Sequence, residues 1–273
     1  MALASAALLL ASLAPLHAQV PSAAGTPVPV RERVWNELKN SSVPRAFVDQ
    51  LFDDARLAID PAVIPRVSTP SEGLPYERYR LIFITERRIG GGAAFVKAHH
   101  TLLDQVSQRY GALDPLLLVS LVGVETVYGA AAGGHVVFNA LYTLADRVPP
   151  RMRFAERELA ELIKFCQADG RDAYSVKGSY AGAFGYGQFI PSSWNKYAVD
   201  FDGDGFKSHD RWPDVLATIA NYLTLNGYRR DAAGTRRAVY AYNHSDNYVR
   251  VVLELRDEIA KRLKPVKIAK KRK

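Results

Sequence analysis

A single carboxylate stands in an otherwise uncharged stretch of the sequence. Between Pro115 and Ala145 there is no Lys, Arg or Asp, which leaves Glu125 as the only formally charged side chain. The residues around it are apolar on nearly every side of a helix, a pattern typical of burial. Burial and the negative end of the helix dipole both disfavour a charged carboxylate, so we expect the pKa of Glu125 to be raised.

Glu125 could therefore do acid–base chemistry. A carboxylic acid that keeps its proton near neutral pH can act as a general acid toward a glycosidic oxygen. A structural role is an equally good interpretation of this helix alone, with Glu125 paired to a distant arginine or capping a neighbouring helix, because structural networks also shift pKa values.

A glycine-rich stretch with aromatic side chains, residues 177–194, could bind a ligand. Its glycines allow tight turns or the close approach of a ligand to the backbone. No carboxylate occurs between residues 173 and 199, whereas seven aromatic residues do, and this composition suits a sugar better than a metal or a phosphate. Ser179 and Gln188 could supply neutral hydrogen-bonding groups. A structural loop with core aromatic residues explains the composition slightly better when the stretch is taken alone.

The next stretch, residues 200–214, begins with the spacing of an EF-hand calcium loop. The oxygen ligands expected at loop positions one, three, five and seven are Asp200, Asp202, Asp204 and the main-chain carbonyl of Phe206. Position twelve holds Arg211 where a bidentate glutamate is usual, so we expect Asp214 to close a lengthened loop. A single loop of this kind predicts a calcium ion with a structural role and not a calcium-sensing switch. An Asp-Gly turn without metal is the alternative.

Helical patterns dominate the chain and predict a mainly α fold, with no long alternating strand. Asp114 and Pro115 fit the start of the Glu125 helix, and Gly129 fits its left-handed stop. Other helices are expected at residues 31–39, 44–57, 93–110, 151–168, 213–226 and from Ser245 through 259. Residues 60–75, with four prolines, predict a linker or an extended crossing. Tyr242, Asn243 and Tyr248, around the start of the last helix, could either cap and pack or face a groove.

The two ends of the chain differ from the rest in composition. Residues 1–18 have the apolar run and small-residue end of a signal peptide, although no basic residue precedes His17, and this predicts export. Residues 19–30 are expected to form a flexible leader. No transmembrane segment is predicted, because no other apolar run reaches about 18 residues. Cys166 is the only cysteine, which excludes an intramolecular disulfide and a cysteine-based zinc site.

The net charge of +8 and the basic tail at residues 264–273 point to an anionic partner. Nucleic acid, acidic lipid and an anionic cell-wall polymer all fit that charge. Nucleic acid is disfavoured, because the sequence has neither a zinc-finger spacing nor an aromatic RNP-like strand.

Taken together, these motifs resemble those of the lytic murein transglycosylases of the B type, the membrane-bound lytic transglycosylase B-like proteins of the lysozyme-like group. The matching segments lie at residues 123–126, 128–129, 177–179, 181–183, 185–189, 191–193, 200–214, 221–222 and 241–243. The resemblance implies an N-terminal helical subdomain at residues 31–110 and a lysozyme-like core at residues 111–263 that contains the calcium loop. Unlike the lipid-anchored members, this chain has no cysteine directly after its predicted signal peptide.

The resemblance also implies site residues and a reaction. Glu125 would be the sole catalytic acid and base, and the calcium ligands would be the residues named above. Substrate-binding residues would be Tyr79, Ser179, Gln188, Phe189, Tyr222, Tyr242, Asn243 and Tyr248. The implied reaction is non-hydrolytic cleavage of the β-1,4 bond between N-acetylmuramic acid and N-acetylglucosamine in peptidoglycan, with a 1,6-anhydromuramoyl product. No organic cofactor is implied.

The implied setting is a soluble, periplasmic monomer that acts on glycan strands alongside other cell-wall enzymes. Three alternatives stay open at this point: a hydrolytic muramidase on the same fold, a non-catalytic wall-binding protein and a calcium-sensing interaction protein.

Overall fold

The computed structural model describes residues 28–67 and 74–264, and helices make up most of that part of the chain. The predicted signal peptide, most of the leader and almost all of the basic tail lie outside the described residues. The helices are α1 (Val30–Leu38), α2 (Arg45–Asp53), α3 (Val63–Val67), α4 (Tyr76–Phe83), α5 (Glu86–Arg109), α6 (Pro115–Thr126), α7 (Val137–Arg147), α8 (Met152–Asp169), α9 (Pro191–Tyr197), α10 (Trp212–Leu225), α11 (Ala232–Tyr242) and α12 (Asp246–Leu263). The mainly α prediction is confirmed.

Helix α6 lies at the centre of the fold. It packs against α5, α12 and α10, and every residue from Leu117 to Thr126 is buried. Burial on all sides explains why the sequence shows no polar face there. The Asp114 side chain accepts a hydrogen bond from the N–H of Leu116 at 2.9 Å, as its predicted role as N-cap requires.

The N-terminal helices pack against the second half of the chain. Helix α1 contacts α8, α3 contacts α7, and α4 contacts α12. Arg33 on α1 reaches α8 through an ion pair with Glu156, with 2.5 Å between Nε and Oε1. Helices α1, α3 and α4 are therefore held against α8, α7 and α12, respectively.

Helix α5 begins earlier than the sequence predicts. It starts at Glu86, after the Thr85 N-cap, and continues through the run of glycines that we expected to precede it. The reason is a long-range contact, because a Cβ at Gly91 would lie 2.8 Å from the ring of Tyr128. These glycines let α5 approach the end of α6, and they do not break the helix.

A short antiparallel pair holds the glycine-rich stretch in place. Strand β1 (His135–Val136) pairs with β2 (Lys177–Gly178), and a Cβ at Gly133 would lie 2.1 Å from the carbonyl oxygen of Gly178. The stretch that follows β2 is thus held beside the segment that follows α6. Among the described residues, no helix combines the length and apolar character needed to cross a membrane.

Candidate active site

Glu125 is the penultimate residue of α6, and only 3% of it is exposed. The helix ends at Thr126, and the left-handed stop is Val127, with φ of 52°. The prediction that Gly129 ends the helix is therefore wrong by two residues, although Gly129 also has a positive φ of 84°. Tyr128 shares this conformation, with φ of 59°. Two non-glycine residues in the left-handed region indicate a turn that tertiary contacts hold in place.

Tyr248, in the first turn of α12, donates a hydrogen bond from its hydroxyl to Oε1 of Glu125. Burial raises the pKa of Tyr248 well above its usual value, and the charge of Glu125 raises it further, so Tyr248 stays a neutral donor. A donated hydrogen bond favours the ionised carboxylate, whereas burial favours the carboxylic acid. Opposing effects therefore act on the protonation of Glu125, and such a group can both give and take a proton.

Three of the predicted substrate-binding residues form an aromatic cluster. The ring of Phe189 lies 5.3 Å from that of Tyr242 and 5.8 Å from that of Tyr222, between centroids. The Tyr242 hydroxyl donates to the carbonyl of Gly187, and that of Tyr222 donates to the carbonyl of Ala241 at 2.6 Å. All three rings are buried. Tyr222 and Tyr242 therefore pack against Phe189 from the interior of the protein and support the glycine-rich stretch. Their contact with a substrate stays a prediction.

Ser179 and Gln188 have hydrogen bonds within their own loop. The Ser179 hydroxyl accepts from the N–H of Ala183 at 3.1 Å. Gln188 donates from Nε2 to the carbonyls of Ala132 at 3.0 Å and Gly185 at 2.9 Å. The same side chains that we expected to meet a sugar thus also shape the loop, and Gln188 links it to the segment after α6.

Tyr79 and Asn243 complete the predicted set and are both buried. The ring of Tyr79 lies 4.9 Å from that of Phe83 on α4, and Tyr79 contributes slightly to the raised pKa of Tyr248. Asn243 is the C-cap of α11, two residues before Ser245, which caps α12. Both residues therefore belong to the surroundings of Tyr248.

Thr126 is a site residue that our sequence reasoning did not single out. Its hydroxyl donates to the carbonyl of Tyr186 at 2.9 Å and accepts from the N–H of Gly129 at 3.0 Å. It therefore connects the end of α6 to the glycine-rich stretch. The sequence feature that could have identified Thr126 as a site residue is its position directly after Glu125.

The predicted calcium loop brings three carboxylates together. Ligand oxygens of Asp200, Asp202 and Asp214 lie within 4.8 Å of one another, the one such candidate cluster in the described part of the chain. Burial raises the pKa of Asp214, and Asp202 and Asp200 add to this through charge repulsion. A set of hard oxygen donors fits calcium and fits soft metals poorly. Asp214, in the first turn of α10, closes the cluster at the place that the lengthened loop predicts.

Asp204 and Phe206, the other two predicted ligands, are less clearly arranged. Oδ2 of Asp204 accepts from Nη1 of Arg211 at 2.5 Å, and its Oδ1 accepts from the N–H of Phe206 at 2.9 Å. Phe206 is 60% exposed, and its carbonyl would have to supply a ligand from the loop surface. The complete ligand set stays a prediction.

Sequence comparison connects the chain with known proteins. The profile of the family described as "Transglycosylase SLT domain" matches residues 28–239. Over 151 residues the chain is 37% identical to membrane-bound lytic murein transglycosylase B of Escherichia coli K12. This match covers 55% of the chain and 42% of that relative, so the chain spans less than half the length of the curated relative it matches.

Solved structures are similar over most of the chain. SltB3 of Pseudomonas aeruginosa, solved in complex with NAG-anhNAM-pentapeptide, is 27% identical with a TM-score of 0.74 over 84% of this chain and 78% of that one. The lytic transglycosylase SLT35 of Escherichia coli, solved in complex with calcium, is 24% identical with a TM-score of 0.76 over 86% of this chain and 93% of that one. The predicted lysozyme-like helical fold of lytic transglycosylases is thereby confirmed.

Proposed function

The chain belongs to the transglycosylase SLT domain family, and from this premise we propose that it is a lytic transglycosylase of peptidoglycan. The bond cleaved is the β-1,4 linkage between N-acetylmuramic acid and N-acetylglucosamine. The glycan product ends in a 1,6-anhydromuramoyl residue. A relative solved with a fragment that contains anhNAM supports this product.

One carboxyl group performs both proton transfers in the proposed reaction. Protonated Glu125 gives its proton to the glycosidic oxygen, and the N-acetylglucosamine leaves as an alcohol. The acetamido group of the muramoyl residue stabilises the cationic C1. The Glu125 carboxylate then takes the proton from the muramoyl C6 hydroxyl, whose oxygen bonds to C1. Water is not consumed, and Glu125 ends the cycle protonated, as it began.

The observation that carries this proposal is the hydrogen bond from Tyr248 to Glu125 at a buried helix end. Most glycosidases use two carboxyl groups. Tyr248 is a neutral donor, so it can stabilise the carboxylate after the first proton transfer without adding a second acid. Such a donor suits a carboxyl group that alternates between acid and base.

We propose that the loop at residues 200–214 binds one structural calcium ion. Asp200, Asp202 and Asp214 would hold it, and Asp204 and the Phe206 carbonyl would complete the shell. The ion would neutralise three neighbouring carboxylates and hold the start of α10. The compact carboxylate cluster supports this proposal, as does the calcium in the SLT35 structure.

The proposed setting is the periplasm, which the protein would reach through the predicted signal peptide and where it would act as a monomer on glycan strands. The substrate is anionic through its peptide carboxylates, and the net charge of +8 favours its approach.

Mass spectrometry of muropeptides released from purified peptidoglycan tests the reaction. We expect anhydro ends from the wild type. Reducing ends would instead identify a hydrolytic muramidase, and no release would favour a wall-binding protein. The variant Glu125→Gln should release nothing while keeping its fold.

Glu158→Gln is a matched control for that variant. Glu158 is also a buried glutamate on a helix, and burial raises its pKa, but its oxygens accept from the hydroxyl and the N–H of Ser192. We expect this variant to remain active. Loss of activity in both variants would point to a general effect of removing a buried carboxyl group.

A further inference from the structure

Arg88, on the first turns of α5, is a buried arginine, with only 8% of its surface exposed. Its guanidinium donates from Nε to the carbonyl of Gly123 at 2.9 Å and from Nη1 to the carbonyl of Ile82 at 2.8 Å. The guanidinium carbon also lies 5.2 Å from the centre of the Phe83 ring. Burial of a charged side chain is costly unless it makes specific contacts, so the buried position of Arg88 needs an explanation.

The contact with Gly123 is made at the last turn of α6, two residues before Glu125. In a regular helix the Gly123 carbonyl would accept from the N–H of Val127. Here the N–H groups of Val127 and Tyr128 both donate to the carbonyl of Val122. Arg88 therefore satisfies a carbonyl that the left-handed turn leaves without its usual donor.

Tyr128, in the turn after α6, in turn makes a hydrogen bond to the main chain of Arg88. Its hydroxyl donates to the main-chain carbonyl of Arg88 at 2.6 Å. A Cβ at Gly92 or Gly123 would lie 2.6 Å or 2.5 Å from the Tyr128 hydroxyl oxygen, so these glycines leave the space that the ring occupies. The hydrogen bonds of Arg88 and Tyr128 thus fix α5 and the turn that ends α6 to each other.

We propose that Arg88 is a positioning residue for Glu125: through its hydrogen bond to the carbonyl of Gly123 it fixes the last turn of α6, and so keeps the Glu125 carboxyl group in place against the Tyr248 hydroxyl. Cations near the C-terminal end of a helix also offset the negative end of the dipole. This inference rests on the proposed function and deepens it. The side chain of Arg88 does not need to touch the substrate.

The tyrosines that interact with Glu125 are neutral hydrogen-bonding groups. Tyr248 and Tyr242 both interact with Glu125, and burial raises the pKa of each well above its usual value, so both are neutral. Tyr128, beside Arg88, is neutral for the same reason, since burial raises its pKa. Tyr79, next to Tyr248, is a phenol as well. Arg88 remains charged at any pH at which the protein works.

Kinetics of Arg88→Met, Arg88→Lys and Arg87→Met test the proposal. Arg87 is the exposed neighbour of Arg88 on the same helix, so Arg87→Met is matched in charge and position. We expect Arg88→Met to lower kcat by about tenfold to hundredfold, because the carboxyl group of Glu125 would be misplaced. KM should change by less than about threefold. Arg88→Lys should recover part of the loss, and Arg87→Met should behave as the wild type.

The pH dependence separates positioning from a general loss of stability. In Arg88→Met the last turn of α6 is no longer fixed and the hydrogen bond from Tyr248 to Glu125 weakens. The ionised form of Glu125 is then less stable, so the pH-rate limb of Glu125 should move upward by about half a unit or more. Equal limbs and equal kcat in Arg88→Met and Arg87→Met would overturn the proposal. If Arg88→Met does not fold, Arg88→Lys and Tyr128→Phe test the same turn, and wild-type kinetics in both would also overturn it.

The titration of Glu125 can be measured without substrate, by NMR of 13C-labelled carboxyl groups with Glu125→Gln to assign the signal. If the wild type released no muropeptides, the proposed function would fail. An upward shift of this titration in Arg88→Met would still support the positioning role, and an unchanged titration would refute it.

Discussion

The hydroxyl of Thr126 donates to the carbonyl of Tyr186 at 2.9 Å and so ties the residue after Glu125 to the glycine-rich stretch. The N–H of Tyr186 in turn donates to the carbonyl of His209 at 2.9 Å. The neighbour of His209, Ser208, donates from its N–H to Oδ2 of Asp214 at 2.8 Å. Hydrogen bonds therefore connect the end of α6, the glycine-rich stretch and the proposed calcium loop.

Removal of the Thr126 hydroxyl should loosen this connection. In Thr126→Val the carbonyl of Tyr186 and the N–H of Gly129 both lose a partner, and we expect the free energy of unfolding to fall by about 1–3 kcal/mol. Muropeptide release should fall as well. Thr126→Ser keeps the hydroxyl and should stay close to the wild type in chemical denaturation and in activity. A loss in Thr126→Ser with none in Thr126→Val would show that the methyl group matters and the hydroxyl does not.

Tyr248→Phe removes the hydrogen bond to Glu125 and keeps the ring. The ionised form of Glu125 loses a donor, so its pKa should rise, and the pH-rate limb on which activity falls as Glu125 loses its proton should move to higher pH. We expect kcat to fall by about tenfold or more. The pH-rate profiles of kcat and of kcat/KM measure the fall in kcat and the shift of the limb. An unchanged profile would mean that Tyr248 has no part in the proton transfers.

Calcium should raise the melting temperature of the wild type, because a ligand bound only by the folded state stabilises it. At a free concentration of about 100 times Kd, the gain is about 2.7 kcal/mol. Asp202→Ala should abolish the rise. Asp210→Ala is the control, since Asp210 is exposed in the same loop and lies outside the carboxylate cluster. The same calcium response in Asp202→Ala and the wild type would contradict the proposed site.

Gly185→Ala and Gly203→Ala separate backbone strain from steric overlap. Both glycines have positive φ, 71° and 75°, and alanine in that region costs about 1–2 kcal/mol. A Cβ at Gly185 would also lie 2.4 Å from the carbonyl oxygen of His209, whereas at Gly203 nothing lies within 4 Å. We expect Gly185→Ala to cost about 1–3 kcal/mol more and to reduce activity. Denaturant titration of both variants checks this, and equal costs would argue against the close approach.

The fold class and much of the candidate site could be predicted from local sequence features. The Asp114 N-cap and the stop of α8 at Gly170, with φ of 61°, depend on neighbouring residues alone. The isolation of Glu125 and the spacing of Asp200 and Asp202 are equally local. Such signals reflect preferences of a few adjacent residues, which the sequence displays directly.

Only the tertiary structure decided how distant segments meet. The sequence predicted that this helix begins at residue 93, after the glycines, but α5 includes them, and Tyr128 occupies the space that they leave. Tyr248 reaches Glu125 from a helix that begins 121 residues later in the chain. Arg88 and Thr126 acquire their partners in the same way. The sequence alone determined a mainly α chain with one isolated acid in an apolar helix and a carboxylate loop. The contacts that orient the acid depend on packing between helices, and no local pattern encodes which distant side chains packing brings together.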